Sequence, residues 1–305
     1  MRESCGLVDR SDRGKLALTG GQAKEFLNGQ VTNDVDQLEP GGGQYATFLD
    51  HKGRMQGDVR ILDLGDELWL DTERPALQAL FDMIRRFKIG YDVELHKRTL
   101  QCALLSLVGP RARAVAGAEE LPSAEHSSMR ARRGAADVVL VATLHGIDVI
   151  CAAEDAPAVR AALVEAGAVE VPEAAAEVLR VEAGRPRFAV DVDTTTIPQE
   201  AGLNERAVSF TKGCYLGQET VARLHYKGRP NRHLRGLRLS GAAATGDVLR
   251  LGEREVGRVG TVVDSPAFGP IALAVVRREA EPGATVAVGD GGATATVVEL
   301  PFSVS

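Results

Sequence analysis

The sequence predicts an α+β protein that ends in a small all-β part, and three observations carry this. Strand and helix patterns interleave from Lys15 to about Arg98, and a second interleaved stretch runs from about Thr99 to Val171. From about Leu234 onward short strand patterns follow one another, punctuated by Gly and Pro, as in a small closed barrel or sandwich. The expected parts are 1–98, 99–233 and 234–305.

The elements follow in order. Lys15 to Thr19 reads as a short strand, and Gly20-Gly21 opens a helix from about Gln22 to Gly29 with Ala23, Phe26 and Leu27 on its apolar face. Gly41-Gly42-Gly43 marks a turn before a strand at Gln44 to Leu49. Asp58 to Leu64 and Glu67 to Asp71 alternate apolar and polar around Gly65-Asp66, as a hairpin does. Pro75 suits the first turn of a helix from about Arg74 to Phe87, whose Leu77, Leu80, Phe81, Ile84 and Phe87 recur three and four apart. The second stretch opens with the apolar strand Gln101 to Val108, ended by Gly109-Pro110 before a helix. Strands at Asp137 to Leu144 and Ile147 to Cys151 meet at His145-Gly146, and a helix follows from about Ala156 to Gly167. Glu173 to Ala183 is a further helix. It leads into Gly184 to Asn204, about twenty residues without periodicity, a length unusual in a compact domain unless it lines a site. The terminal strands are expected around Leu237 and Leu239, then at Glu255 to Val263, Ile271 to Arg277, Ala284 to Val288 and Ala293 to Leu300.

Composition narrows the function classes. Of the 305 residues 44% are hydrophobic and 26% charged, ordinary for a globular chain of two or three domains with a sizeable core. A net charge of −6, from 42 acidic and 36 basic residues, does not describe a general nucleic-acid or membrane binder. The charge is uneven, however. From Lys212 to Arg238 seven Lys/Arg and two His stand against the single acid Glu219, which suits either an anionic ligand or a solvated helix and strand. Cysteines at 5, 102, 151 and 214 form no CxxC pair, so no metal site is expected. Cys102 and Cys151 sit in apolar strand runs, whereas Cys5 is expected to be exposed on a flexible N-terminus. No apolar leader segment or run of 18 apolar residues is present, which points to a soluble, cytoplasmic protein with reduced thiols and no direct membrane contact.

The most informative stretch is Lys212-Gly213-Cys214-Tyr215-Leu216-Gly217-Gln218-Glu219. Glycines on both sides of Cys214 suit a tight turn or a close approach, and a thiol near a cation is drawn toward the thiolate. Cys214 read alone also fits an ordinary small residue at a loop-to-helix junction. All the specified positions match K-G-C-[YF]-x-G-Q-E, and the chain thereby resembles the YgfZ family. That family comprises folate-binding proteins linked to iron–sulfur cluster maintenance, within the aminomethyltransferase (glycine-cleavage T-protein) superfamily.

The resemblance extends along nearly the whole chain. Leu179-Arg180-Val181-Glu182-Ala183-Gly184 is similar to the superfamily's R-[LV]-E-A-G, whose glutamate binds the pterin ring of tetrahydrofolate. The chemistry suits a carboxylate, because a pterin offers an amino group and a ring N–H side by side for a bidentate pair. Without the resemblance Glu182 on its Ala-rich helix reads more often as a surface or capping charge. Asp191-Val192-Asp193 and Ile197-Pro198-Gln199-Glu200 resemble the downstream D-[IV]-D … P-x-E pattern, so Asp191, Asp193 and Glu200 join Glu182 as implied cofactor-binding residues, with Arg223. Phe26 to Val35 resembles the family's F-L-x-x-x-x-T/A-N-D-[VIL] element, in which Asn28, Asn33 and Asp34 also fit caps or turns. Lys52-Gly53-Arg54 resembles the K-G-[RK] strand. Where aminomethyltransferases carry D-D-L, with a catalytic aspartate, this chain has Gly57-Asp58-Val59.

The resemblance implies a T-protein-like fold of α/β units around a central cavity with a C-terminal small β-barrel. It implies tetrahydrofolate or a one-carbon derivative as cofactor and iron–sulfur client or assembly proteins as partners, tRNA-modifying enzymes among the clients. Cys214 would be the reactive thiol, supported by Lys212 and Arg223, with Gly213, Tyr215, Gly217, Gln218 and Glu219 completing the motif. Two alternatives stay open. One is a tetrahydrofolate-dependent one-carbon transferase using Asp58, and the other is a folate-binding docking module without chemistry.

Overall fold

The computed structural model describes residues 4–303, so residues 1–3 and 304–305, the outer ends of the first and last expected parts, lie outside it. The described residues form two compact units. Among the described residues the first is drawn from 4–48, Gln56–Glu173 and Arg206–Leu216, and the second from Leu49–Met55, Ala174–Glu205 and 217–303.

In chain order the first unit's elements are β1 (Gly6–Asp9), β2 (Gly14–Thr19), α1 (Ala23–Asn28), β3 (Gly43–Leu49), β4 (Met55–Asp63), β5 (Leu68–Thr72), a 3-10 turn (Arg74–Ala76) and α2 (Leu77–Phe87). There follow β6 (Glu94–Lys97), β7 (Cys102–Val108), α3 (Ala112–Ala116), β8 (Ser128–Arg133), β9 (Ala136–Thr143), β10 (Gly146–Ala152), α4 (Ala156–Glu165) and β11 (Val169–Glu170). They build a five-stranded sheet, β3-β4-β5-β2-β6, and a six-stranded sheet, β11-β1-β7-β10-β9-β8.

The apolar runs of β7, β9 and β10 follow from burial on both faces. One set, including Leu105, Leu107, Leu140 and Val149, packs with Val115, Val159 and Leu163 of α3 and α4. The alternate set, Leu104, Val141 and Ile150, packs on Leu62 and Trp69 of β4 and β5. That inter-sheet layer also holds charge. Arg60 of β4 donates to Asp71 and, at 2.6 Å, to Asp148 of β10, and Ser106 donates to the other Asp148 oxygen at 2.6 Å. Burial pushes Asp71 up, but Arg60 and Arg13 outweigh it and hold it down to about 2. Breaking one partner of such a group strands a buried charge at a cost of about 3–5 kcal/mol.

The second unit contains α5 (Glu173–Glu182), most of the irregular stretch, α6 (Asn204–Ala207) in part, α7 (Gln218–Lys227) and six strands. The strands are β12 (Arg232–Leu239), β13 (Val248–Leu251), β14 (Arg254–Ser265), β15 (Gly269–Arg277), β16 (Thr285–Val288) and β17 (Ala293–Val298). They close as β12-β15-β14-β13-β16-β17, with β12 also pairing β17, which removes every edge strand. Leu237, Leu249, Val259, Ala272, Ala274 and Val297 are among the small apolar side chains that fill the barrel. The expected boundary near residue 98 falls between β6 and β7, and that near 233 falls at the start of β12. No helix among the described residues is long and apolar enough to cross a membrane.

One expectation is corrected here. Cys5 is fully buried at the start of β1, against the core formed with Leu107 and Val138, and burial raises its thiol pKa. Pairing with β7 and the Val169 N–H bond to the Cys5 carbonyl draw this segment inward.

Candidate functional site

In the second unit α5 packs Val181 against Leu234, Ile271, Leu273 and Phe302. That contact fixes the helix and places its last residue, Glu182, half-buried beside the β14–β15 turn. Ser265 Oγ donates to Glu182 Oε1 at 2.5 Å and accepts the Ala267 and Phe268 N–H groups at 3.0 Å. The Glu182 carbonyl accepts the Phe302 N–H at 2.9 Å. The carboxylate is thus oriented by a serine that the hairpin itself holds still.

The other expected cofactor-binding carboxylates are engaged within the unit. Asp191, whose side chain is fully buried, accepts from Arg180 at 2.8 Å, from the Arg187 N–H at 2.8 Å and from the Thr261 N–H at 2.7 Å. Arg180 also grips Glu177 and Thr261 Oγ1, so one guanidinium ties α5, the irregular stretch and β14 together. Asp193 accepts from the N–H and hydroxyl of Thr195 at 2.8 and 2.7 Å in an exposed turn. Glu200 takes a bidentate pair from Arg232 at 3.0 and 2.7 Å. These three carboxylates brace the aperiodic stretch and account for its order without regular structure.

The octapeptide passes from the first unit into the second after Leu216. In the first unit Lys212 is buried and its ammonium donates to the carbonyls of Asn28, Val31 (2.9 Å) and Asn33 (2.8 Å). The surrounding loop is shaped for this. Asn28 Oδ1 accepts the Val35 N–H, Asn33 Nδ2 donates to the Tyr45 carbonyl and Thr32 Oγ1 donates to the Ala207 carbonyl. Burial pushes Lys212 down to about 8, partly opposed by Asp34 and Asp36. The expectation that Lys212 supports the Cys214 thiolate is therefore corrected: its three N–H bonds are spent on carbonyls, and it anchors the loop. Tyr215 is buried, with the Lys212 ammonium 5.2 Å from its ring centroid, and burial pushes its phenol up to about 12. Between these two inward side chains Gly213 meets nothing within 4 Å and Cys214 is exposed.

In the second unit Gly217 caps α7 at φ +83°, with Asp50 O only 2.5 Å from where a Cβ would stand. Gly53 faces it, 2.8 Å from Thr220 by the same measure, so the Lys52-Gly53-Arg54 turn and the start of α7 meet glycine to glycine. Gln218 and Glu219 form the first turn of α7, and Arg223 lies exposed one turn beyond Glu219.

Asp58 lies on β4 in the first unit, buried, with the Tyr45 hydroxyl donating to Oδ2 at 2.6 Å. Burial and the nearby Glu73 push its carboxyl up to about 6, against Tyr45 and Arg13, which lower it. Arg206 stacks its guanidinium 4.8 Å from the Tyr45 ring centroid. A buried carboxyl that titrates near neutrality is suited to proton transfer.

A model of the GCVT N-terminal domain matches residues 1–212. This chain belongs to that family. The GCVT chain is similar to the aminomethyltransferase of Rubrobacter xylanophilus, with 28% identity over 99% of this chain and 84% of the relative. It is also similar to that of Symbiobacterium thermophilum, with 30% identity over 99% and 87%. The crystal structure of glycine cleavage system aminomethyltransferase T from Bartonella henselae matches with a TM-score of 0.88 at 25% identity, covering 99% of this chain and 87% of that one. The α/β architecture and closed barrel are those of this T-protein fold.

Against the D-D-L pattern of aminomethyltransferases, Gly57 has a steric reason. A Cβ there would stand 2.5 Å from the Phe48 ring and 2.6 Å from Ala76, so this GCVT chain has no room for the first aspartate. Two partners escaped sequence reasoning, Tyr45 for Asp58 and Ser265 for Glu182. Tyr45 lay in a strand recognised by its pattern, but no spacing rule pairs it with a residue on another strand. Ser265 carried no local signal at all.

Proposed function

We propose that this protein binds tetrahydrofolate or a one-carbon derivative, and that it serves in the cytoplasm as an accessory factor for assembly or repair of iron–sulfur clusters in client enzymes, tRNA-modifying ones included. Glu182 receives the pterin in this reading. Ser265 orients the carboxylate, and a carboxylate matches the side-by-side amino and ring N–H groups of a pterin edge. Asp191, Asp193 and Glu200 shape the wall of that site by bracing its loop, and Arg223 adds positive charge on α7. The observation that carries the role is the presentation of Cys214. Lys212 and Tyr215 turn inward and Gly217 locks the helix start, which leaves the thiol as the exposed reactive group of the octapeptide.

Calorimetric titration with tetrahydrofolate tests the cofactor. Glu182→Ala should weaken binding by about 2–4 kcal/mol, more than tenfold. Equal affinities, or no binding by the wild type, remove Glu182 from the site. Cys214→Ser should bind folate normally yet fail to restore iron–sulfur enzyme activity in cells lacking the protein. Full rescue would make the protein a folate-binding docking module instead.

The Asp58–Tyr45 pair favours a second reading, a one-carbon transferase like the relatives named aminomethyltransferases. Transfer from an aminomethyl-lipoyl carrier to tetrahydrofolate, abolished by Asp58→Asn, would establish it. The primary reading expects no turnover above background.

A further inference from the structure

Of the seven Lys/Arg between Lys212 and Arg238, four are consumed inside the fold, and one of the other three, Arg229, lines a cavity. Lys212 is spent on carbonyls, Arg232 on Glu200, Arg235 on Glu299 at 3.1 Å and Arg238 on the Ser303 carbonyl at 2.8 Å. Arg229 has no carboxylate partner within 4 Å among the described residues, and it borders a cavity of about 480 Å³ on the barrel. Arg277 and Arg278, at the end of β15, line the same cavity and likewise have no ion-pair partner among the described residues.

The register makes this arrangement costly. Arg232 and Arg277 are directly opposite on β12 and β15, a like-charge pairing that weakens a sheet. Glu200 takes up the charge of Arg232, whereas Arg277 has no ion pair within 4 Å and shares the field of Glu279 with Arg254 and Arg278. Of the acids at the cavity, Glu279 is paired with Arg254 at 3.1 Å, which leaves Glu281 against three guanidiniums. His233 adds no charge near neutrality, because burial and the adjacent Arg235 lower its pKa. The cavity volume falls within the range of small-molecule sites, and guanidinium forks match phosphate and carboxylate in two-point contacts.

We propose that this cavity binds a compact oligoanion, a small molecule carrying two or more phosphate or carboxylate groups, through Arg229, Arg277 and Arg278. None of these residues is assigned to folate, but Arg277 also lines the cavity that holds Asp191 and Asp193, so Arg278→Gln, which leaves that cavity intact, is the variant that separates the two readings. Titration of the full-length protein with pyrophosphate and with citrate at fixed low ionic strength tests it. At least one should bind. Arg277→Gln and Arg278→Gln should each weaken that binding about tenfold, while Arg130→Gln, an exposed arginine on β8, should not. Tighter pyrophosphate assigns a phosphate ligand and tighter citrate a polycarboxylate. Binding of neither anion, wild-type affinity in both variants, or an equal loss in Arg130→Gln would overturn the proposal. Both substituted residues are exposed, so their variants should fold, and a thermal melt of each checks this.

Discussion

Alanine at Gly217 and alanine at Gly213 should have opposite consequences, although the two glycines lie four residues apart in one motif. At Gly217 the backbone φ is +83°, which costs an L-residue about 1–2 kcal/mol. Its Cβ would stand 2.5 Å from Asp50 O, 3.0 Å from Leu49 Cβ and 3.2 Å from Gly53 Cα. The obstruction is largely backbone, and that backbone is tied. Asp50 Oδ1 accepts the Lys52 and Arg54 N–H groups at 2.8 and 2.9 Å, while the Asp50 N–H donates to the Arg54 carbonyl at 2.8 Å. Displacing such a turn adds about 1–3 kcal/mol, so Gly217→Ala should lose about 2–5 kcal/mol. At about 2–4 °C per kcal/mol for units of this size, the melting midpoint should fall on the order of 5–20 °C. Gly213 has no positive φ and nothing within 4 Å. Gly213→Ala should be neutral or gain up to about 1 kcal/mol by restricting the unfolded chain. Thermal melts of the three proteins without ligand decide it. An unshifted midpoint for Gly217→Ala, or equal losses in both variants, would refute the packing account of this motif.

Asp58 has a carboxyl raised from 3.8 to about 6, so the folded protein holds a proton that the unfolded chain releases earlier, and stability falls as pH rises through that window. Asp58→Asn should match the wild type below pH about 4 and exceed it by roughly 3 kcal/mol at pH 7; a flat difference in urea melts across pH would contradict this. Lys212→Met strands three carbonyl acceptors and should cost on the order of 3 kcal/mol while leaving the Cys214 alkylation rate unchanged. A tenfold slower alkylation would restore Lys212 as a thiol activator. In the native protein Cys214 should be alkylated first, with Cys5 and Cys151 reacting only on unfolding, because burial raises both of their thiol pKa values, that of Cys151 to about 11. Mass spectrometry showing Cys5 modified as fast as Cys214 would rule this out.

How far the chain could be read in advance depended on how local the cause was. Helices and strands with one clear period were legible, because one buried face imposes that period over a contiguous run. The doubly buried strands β7, β9 and β10 and the closing barrel belong here. Gly6–Asp9 and the barrel strand Val248–Leu251 went unread because each is only four residues long, and two other missed strands are made by their partners more than by their own pattern. Ser128–Arg133 is an arginine-rich strand at a sheet edge with mostly polar exposure, and Glu94–Lys97 is four residues with no buried face. The site divided in the same way. The octapeptide and the R-V-E-A-G segment are linear patterns, so Cys214 and Glu182 could be singled out from sequence. Where each side chain points could not. The acceptors of Lys212 lie 179 to 184 residues away, Tyr45 reaches Asp58 from another strand, and Ser265 reaches Glu182 across 83 residues. By itself the sequence determined which groups are available and which short segments bend. Only the tertiary structure decided that the motif lysine is an anchor, that Gly57 excludes an aspartate and that Asp58 is buried beside a phenol. Burial and hydrogen-bond partnership are properties of neighbours in space, and no linear spacing encodes them.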